Sequence, residues 1–226
     1  MQYEIWGDQM PAVTLQLDAG ESVYTQSGGL SWMTEGIQMD TNMKGGLGKA
    51  LGRMLSGESL FMATYTAQAQ GTQITFASGM PGNILPFEIS PSNEIIAQKG
   101  AFLCAQPGVT LSATVTRGLK SGLFGGEGFV LQRFSGSGLA FLELDGAIRE
   151  YTLAPGQVLK VDTGNVAAFE ATVDYSAEMV KGFKNILFGG EGLFLTTLRG
   201  PGKVWLQTMS TAELAKRILP FLPSKD

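Results

Sequence analysis

A block of eight residues occurs twice in this 226-residue chain, and a weaker copy precedes both. Residues 123–130 read LFGGEGFV and residues 187–194 read LFGGEGLF, so six of the eight positions are identical. Residues 55–61 read LSGESLF and follow the same pattern more loosely. Because a long-period repeat is typical of proteins built from copies of one supersecondary unit, the sequence predicts three tandem copies of one fold unit.

Glycines occur at matching positions in the three copies. Each block is followed by an apolar segment, a glycine and a second apolar segment, which predicts a β-hairpin. An earlier turn in each copy is also followed by a glycine. The glycines concerned are Gly71, Gly138 and Gly202 in the first pattern and Gly28, Gly100 and Gly164 in the second. Short apolar segments at this spacing, with 31 glycines in all, predict an all-β fold of sandwich or barrel-like units.

The expected units are residues 1–79, 80–146 and 147–209, followed by a tail at 210–226. A unit of roughly 65 residues buries a marginal core alone, so the three units are expected to share apolar faces within one body. No Pro/Ser-rich or charged linker separates them. In the tail, Ser210 and Glu213 form a capping-box pattern that opens a short amphipathic helix ending at Pro220, expected to pack on the β body.

Composition removes several classes of catalysis. The chain has no histidine and one cysteine, Cys104, which excludes Ser-His-Asp and Cys-His mechanisms, histidine metal centres and thiolate zinc clusters. Cys104 lies in an apolar run and is interpreted as a small buried residue. No catalytic residue and no cofactor are predicted, although carboxylate chemistry stays open.

Charge and targeting signals indicate an ordinary cytoplasmic protein. The formal net charge is −4, which argues against a duplex nucleic-acid binder because phosphate recognition needs a basic excess. The start of the sequence lacks the features of a signal or transit peptide. No apolar run approaches the roughly 20 residues of a spanning helix, and a single cysteine fits a reducing compartment.

Each of the three blocks carries one glutamate: Glu58, Glu127 and Glu191. One interpretation is that each carboxylate accepts backbone N–H groups and fixes a tight Gly-rich turn. The other is that a pseudo-threefold arrangement makes the three glutamates equivalent, so that they hold a hard cation or act as catalytic carboxylates. The Gly-rich loops do not match a phosphate-binding P-loop and are interpreted as turns.

The segments before the three blocks combine cations with apolar residues. The cations singled out are Lys49, Arg53, Arg117, Lys120, Lys181 and Lys184. In the first segment, apolar residues at 47, 51, 54 and 55 follow helical spacing. These segments are either connectors that fill a core or an oligomer interface, or one symmetric basic surface. Such a surface suits anionic lipid headgroups or an acidic protein partner.

These features resemble one known family. The tripled unit, the blocks at 123–128 and 187–192, and the Gly-Gly-Leu-Gly segment at 45–48 are similar to uncharacterised bacterial proteins related to altered inheritance of mitochondria protein 24. The resemblance covers nearly the whole chain and is loosest at 56–59. It implies three units akin to the tryptophan RNA-binding attenuation protein (TRAP-like), a short double-stranded β-helix-like unit that assembles into rings. It implies no enzymatic activity.

The sequence therefore predicts an all-β protein of three TRAP-like units with a short C-terminal helix. We expect a non-enzymatic scaffold or interaction protein, acting at a membrane surface in one version of this hypothesis. It is expected to form a closed homo-oligomer, a trimer by analogy with the family. The alternative is a module that binds a small molecule or nucleic acid in clefts between units. A carboxylate-based enzyme is the third interpretation.

Overall fold

A computed structural model describes residues 1–26, 28–41, 62–115, 130–179 and 194–222. Nineteen strands and one α-helix lie in these described residues. The strands up to residue 77 are β1 (Gln2–Trp6), β2 (Ala12–Leu17), β3 (Ser22–Gln26), β4 (Trp32–Met33), β5 (Ile37–Asp40), β6 (Met62–Ala67) and β7 (Thr72–Ala77). The next six strands are β8 (Gly82–Ile89), β9 (Ile95–Gln98), β10 (Phe102–Ala105), β11 (Val109–Val115), β12 (Val130–Gly136) and β13 (Gly138–Asp145). The last six strands are β14 (Ile148–Leu153), β15 (Val158–Asp162), β16 (Val166–Glu170), β17 (Asp174–Met179), β18 (Phe194–Arg199) and β19 (Gly202–Gln207). The all-β prediction is confirmed.

The strands form four antiparallel sheets. Sheet I has the order β1-β2-β7-β4, and sheet II has the order β5-β6-β3-β10-β13-β8. Sheet III has the order β11-β12-β9-β16-β19-β14, and sheet IV has the order β15-β18-β17. The longest pairing joins β8 to β13 over eight residue pairs, from Gly138 opposite Ile89 to Asp145 opposite Gly82.

Three hydrophobic cores separate the four sheets. Leu15 and Ile74 of sheet I share a core with Phe141 of sheet II. Sheets II and III share the second core and sheets III and IV the third. Because sheets II and III have a core on each face, their central strands lose the usual inside–outside alternation: all four residues of β10 are buried.

One pairing pattern recurs along the chain. From β2 onward the strands fall into three sets of six in chain order, β2–β7, β8–β13 and β14–β19. In each set the first and third strands pair with the sixth, and the second and fourth strands pair with the fifth. Each set therefore contributes three strands to each of two facing sheets. The joints expected near residues 79 and 146 fall between strands, and the division of the chain into three units at those residues stays a prediction.

The predicted hairpins are wrong. β12 and β13 follow one another but lie in sheets III and II, and the same separation holds for β6 and β7 and for β18 and β19. At Gly136 the backbone has a φ of 94°, and a side chain there would overlap the carbonyl oxygen of Gly108. Glycine thus allows the chain to cross from one sheet to the next where a hairpin would keep it in the same sheet.

The predicted C-terminal helix is present as α1 (Thr211–Ile218). The side chain of Ser210 accepts a hydrogen bond from the backbone N–H of Glu213 at 3.3 Å, as the capping pattern predicts. Asp145 anchors the helix start by accepting from the N–H and the hydroxyl of Thr211. No residue of α1 is fully buried, although Leu214 is partly covered, and the expected packing of the helix on the β body stays a prediction.

Candidate functional site

The residues that the sequence singled out all belong to the segments before and within the three repeated blocks. The six cations Lys49, Arg53, Arg117, Lys120, Lys181 and Lys184 and the three glutamates Glu58, Glu127 and Glu191 lie outside the described residues. Among the described residues, no three Cys, Asp or Glu side chains gather in a geometry suited to a metal ion. The exposed surfaces of the described residues are therefore different from those that the sequence predicts.

The outer end of sheet I exposes two tryptophans and a methionine. Trp32 is 54% exposed and Met33 is 38% exposed, although both belong to β4. The ring of Trp6 lies 6.1 Å from that of Trp32, and its Nε1–H donates to Oγ1 of Thr14 at 3.0 Å. Exposed clusters of large apolar side chains of this kind are typical of interaction surfaces. Trp32 shares the outer face of sheet I with Trp6, whereas Met33 lies opposite Ile74 and therefore on the core face. Trp6, Trp32 and Met33 are together called the sheet I end patch.

A repeated hydrogen bond shows which residues of the other sets occupy the same positions. The backbone N–H of Gln73 donates to Oγ1 of Thr34 at 2.9 Å. In the second set, the N–H of Leu139 donates to Oε1 of Gln106 at 2.8 Å. In the third set, the N–H of Lys203 donates to Oε2 of Glu170 at 2.9 Å. The residues just before the three acceptors therefore correspond: β4 matches the ends of β10 and β16.

The residues that match the sheet I end patch are buried. Cys104 and Ala105 of β10 are both 0% exposed, and Ala168 and Phe169 of β16 are 0% and 1% exposed. Their side chains lie in the cores between facing sheets, Cys104 between sheets I and II and Ala168 between sheets II and III. Their strands are also paired along the outer edge, β10 with β3 and β16 with β9. Among the described residues, no strand pairs with the outer edge of β4. The same strand position is thus covered twice and open once.

The opposite end of the molecule also exposes apolar side chains beside an open strand edge. β15 is the terminal strand of sheet IV in the described part of the chain. Val158 at its start and Tyr151 in β14, the last strand of sheet III, are each 42% exposed. The guanidinium of Arg149 lies 6.0 Å from the centre of the Tyr151 ring. Tyr151 and Val158 are called the sheet IV end patch.

A cleft of about 520 Å³ opens between β8 and the strands β14 and β19. Its floor includes Phe87 and Trp205, whose rings meet edge to face at 4.9 Å. Glu150 accepts from Trp205 Nε1 at 3.0 Å and pairs with the Lys203 ammonium at 2.9 Å. The hydrogen bond to Glu150 raises the pKa of Lys203. The polar side of the cleft is thus a pre-formed ion pair beside an aromatic floor.

The edge of β8 that borders this cleft is poorly suited to binding another strand. Pro86 lies in the middle of β8 and has no N–H to donate. The side chain of Asn93 donates to the carbonyl oxygen of Glu88 at 2.6 Å, which occupies a further edge group. Proline and occupied backbone groups are common ways of protecting an edge strand, so the cleft favours a small ligand over an extended peptide.

Cys104 is buried, as interpreted from the sequence. Its side chain is part of the core between sheets I and II, and burial raises the pKa of the thiol. A thiol with a raised pKa in an apolar core is a poor nucleophile.

Apolar side chains at the end of α1 and just beyond it face solvent. Ile218, Leu219, Phe221 and Leu222 are between 47% and 86% exposed, and Lys216 and Arg217 lie in the last helical turn. None of the helices within the described residues has the length and apolar character needed to cross a membrane.

These observations define an all-β protein of stacked antiparallel sheets, in which β4 and β15 have no pairing partner on their outer edges within the described ranges and apolar side chains are exposed at both ends. The chain belongs to the AIM24 family, described as mitochondrial biogenesis AIM24, whose profile matches residues 3–209. The family resemblance predicted from the sequence is confirmed.

Two relatives come from Streptococcus pyogenes. An uncharacterized protein of serotype M6 is 32% identical over 225 residues, which cover 96% of this chain and 88% of the relative. The crystal structure of a second Streptococcus pyogenes protein has a TM-score of 0.78 and 28% sequence identity, over 98% of this chain and 99% of that one.

Proposed function

We propose that the protein is a non-enzymatic scaffold that works as a closed homo-oligomer in the cytoplasm. The observation that carries the proposal is the exposure of Trp32 and Met33 at a strand position that is buried in both other sets. An apolar strand position that is covered elsewhere in the same fold is expected to be covered here by a partner. By analogy with the family resemblance, three chains are expected in the oligomer.

Burial of this surface against a partner would contribute substantially to the free energy of association. About half of the Trp32 side chain is exposed, which corresponds to about 130 Å² of the roughly 250 Å² that a tryptophan can bury. At about 25 cal/mol per Å², burying it contributes about 3 kcal/mol per contact. Trp6 and Met33 add to this contribution, which has to exceed the entropic cost of association.

Size-exclusion chromatography with light scattering tests the proposal. The wild-type chain is expected to elute as one oligomer at micromolar concentration, and Trp32→Ser is expected to shift the mass towards the monomer. Gln38→Ser, at another exposed strand position, serves as the matched control and should leave the mass unchanged. A monomeric wild-type chain across the whole concentration range would contradict the proposal.

A more specific version of this proposal is that the protein acts at a membrane surface. The exposed apolar residues at the end of α1 and just after it, with two basic residues in its last turn, have the character of a segment that lies in a lipid interface. The basic connectors of the sequence supply further cations, and an acidic protein is the other partner that they suit. Co-sedimentation with anionic liposomes should be weakened by salt, by Phe221→Ser and by reversing Lys49, Lys120 and Lys184. No binding at low salt would remove this form of the proposal.

The cleft beside Trp205 favours a second candidate, the binding of a small molecule. Its volume of about 520 Å³ lies within the usual range of about 300–1,000 Å³ for ligand sites. Trp205 provides the readout, because a ligand on the aromatic floor should change its fluorescence. A panel of small molecules that leaves both the fluorescence and the thermal midpoint of the protein unchanged would argue against this candidate.

A further inference from the structure

The two central sheets are each built from halves of two strand sets. Sheet II joins the fourth, fifth and second strands of the first set (β5-β6-β3) to the third, sixth and first strands of the second set (β10-β13-β8). Sheet III joins the corresponding halves of the second and third sets. The two end sheets hold the unmatched halves. Sheet IV contains β15-β18-β17, and sheet I contains β4-β7-β2 with β1 added outside.

The joint between the halves has the same geometry in both central sheets. In sheet II, β10 pairs antiparallel with β3 through Ala105 opposite Tyr24. In sheet III, β16 pairs antiparallel with β9 through Phe169 opposite Ile96. Ala105 and Phe169 are equivalent because the next residue in each case, Gln106 or Glu170, accepts a hydrogen bond from a backbone N–H of the sixth strand of its set through its side chain.

Tyr24 and Ile96 are equivalent as well. Each lies three residues after a turn residue whose N–H donates to the carbonyl three residues earlier, Glu21 to Asp18 and Asn93 to Ser90, both at 2.9 Å. In the third set the same turn bond joins Gln157 to Ala154, also at 2.9 Å. The third member of this series is therefore Lys160 of β15. The third member of the Ala105 and Phe169 series is Met33 of β4.

We propose that β4 of one copy pairs antiparallel with β15 of the next copy, with Met33 opposite Lys160. In this register, Trp32 lies opposite Val161 and Thr34 opposite Leu159, as Ala168 and Glu170 lie opposite Ala97 and Ile95 within the chain. The pairing joins sheets IV and I into one continuous sheet with the strand order of sheets II and III. It rests on the proposed homo-oligomer and specifies its contact.

Side-chain size supports this pairing. At the joint of sheet III, the large Trp205 lies opposite the small Ala168, and at the joint of sheet II the large Phe141 lies opposite the small Cys104. At the outer end of sheet I the order is reversed, with the small Thr75 opposite the large Trp32. Each joint thus has one large and one small residue, which keeps the filled volume similar.

The sheet IV end patch is placed to receive Trp32. Ala168, the counterpart of Trp32, belongs to the core that also contains Phe87. The counterpart of Phe87 in the third set is Tyr151, since each is the third residue of its strand pairing counted from Gly138 or Gly202. Tyr151 is exposed where Phe87 is 6% exposed, so Trp32 of the next copy would cover it.

The contact joins two different surfaces, so the assembly is head-to-tail. A head-to-tail contact closes into a ring when the rotation between copies allows it and otherwise extends as a fibre. Closure leaves no copy with an open β4 or β15 edge, which removes both exposed edges at once.

Disulfide trapping tests the register. Directly opposite residues of antiparallel strands lie about 4.5–5.5 Å apart, within the range in which a disulfide forms. A chain carrying both Met33→Cys and Lys160→Cys is therefore expected to become covalently linked into the full oligomer on mild oxidation. The matched control combines Met33→Cys with Val158→Cys, two residues out of register, and should give little product. Cys104 stays buried throughout.

The outcomes separate this inference from the proposed function. An oligomer of unchanged mass that is linked by Met33→Cys alone, or by the out-of-register pair, keeps the scaffold proposal and overturns the head-to-tail register. An oligomer in which neither pair links also overturns the register. A wild-type monomer overturns both. Light scattering on the reduced variants checks that they still assemble, so that a missing cross-link can be attributed to the register and not to loss of the oligomer.

Discussion

The side-chain amide of Gln207 connects sheets II and III, and its removal should destabilise the whole stack. The amide accepts from Nε2 of Gln98 at 3.0 Å and from the backbone N–H of Asp145 at 3.3 Å. It donates to Oε1 of Gln98 at 2.9 Å and to the carbonyl oxygen of Gly164 at 3.0 Å. Gln207 is 3% exposed, so water cannot easily replace these bonds.

Gln207→Met keeps the length of the side chain and removes all four bonds. The N–H of Asp145 and the carbonyl of Gly164 then lose these partners, and each unsatisfied buried group costs about 1–3 kcal/mol. We expect the free energy of unfolding to fall by about 3 kcal/mol, a large part of the roughly 5–15 kcal/mol that stabilises a typical protein.

Equilibrium urea unfolding, followed by circular dichroism, measures this loss. Gln38→Met, at an exposed position of β5, should change the free energy of unfolding by less than about 0.5 kcal/mol. The double variant with Gln98→Met should cost less than the sum of the single changes, because both partners of two bonds are gone. If Gln207→Met costs no more than Gln38→Met, the reasoning about this network is refuted.

Three further predictions concern the core. Gly82→Ala would place a methyl group against the carbonyl oxygen of Leu144 and should cost about 1–3 kcal/mol in urea unfolding, whereas Gly79→Ala, with open space around it, should be nearly neutral. Burial raises the pKa of Tyr24, so the folded protein holds the phenol proton more tightly than the unfolded chain does. The stability contributed by the protonated phenol is fully present below pH about 10, and it is lost as the pH rises towards the folded-state pKa. Urea midpoints of wild type and Tyr24→Phe between pH 8 and 11 should therefore show a smaller alkaline loss of stability in the variant. The buried thiol of Cys104 should react with a thiol reagent only after denaturant is added, and rapid labelling of the native protein would show that the core opens.

Local signals were the part of the fold that the sequence could predict. The capping pattern at Ser210 placed the start of α1, because the hydrogen bond it needs lies within four residues. Gly71 and Gly100 were correctly placed in turns, and both have positive φ, which glycine adopts at little cost. Short apolar segments between such turns were sufficient for the all-β class.

The partners of the strands could not be predicted in the same way. Two apolar strands joined by a glycine have the same local pattern whether they pair with each other or cross to facing sheets. β12 and β13 take the second arrangement, and the decision lies in residues far along the chain, such as Ile89 and Ile95, with which they pair.

The sequence does not predict the candidate surfaces because they lie where the copies differ. The glutamates and cations recur in all three copies, whereas Trp32 differs from its counterparts Cys104 and Ala168 in the other two sets. Once the sets are aligned by their capping hydrogen bonds, a tryptophan at a position that is otherwise small becomes a detectable signal. The sequence contained this signal, but the alignment depended on the strand pairings.

The interleaving of strand sets has a consequence for synthesis on the ribosome. Sheet II combines strands from Ser22 to Asp145, so β3 emerges long before β10, its later neighbour, has been made. Pairings of such large sequence separation form slowly, and apolar edges of a nascent chain are prone to aggregate while they wait. The growing polypeptide is therefore expected to depend on chaperones until most of its length has left the exit tunnel.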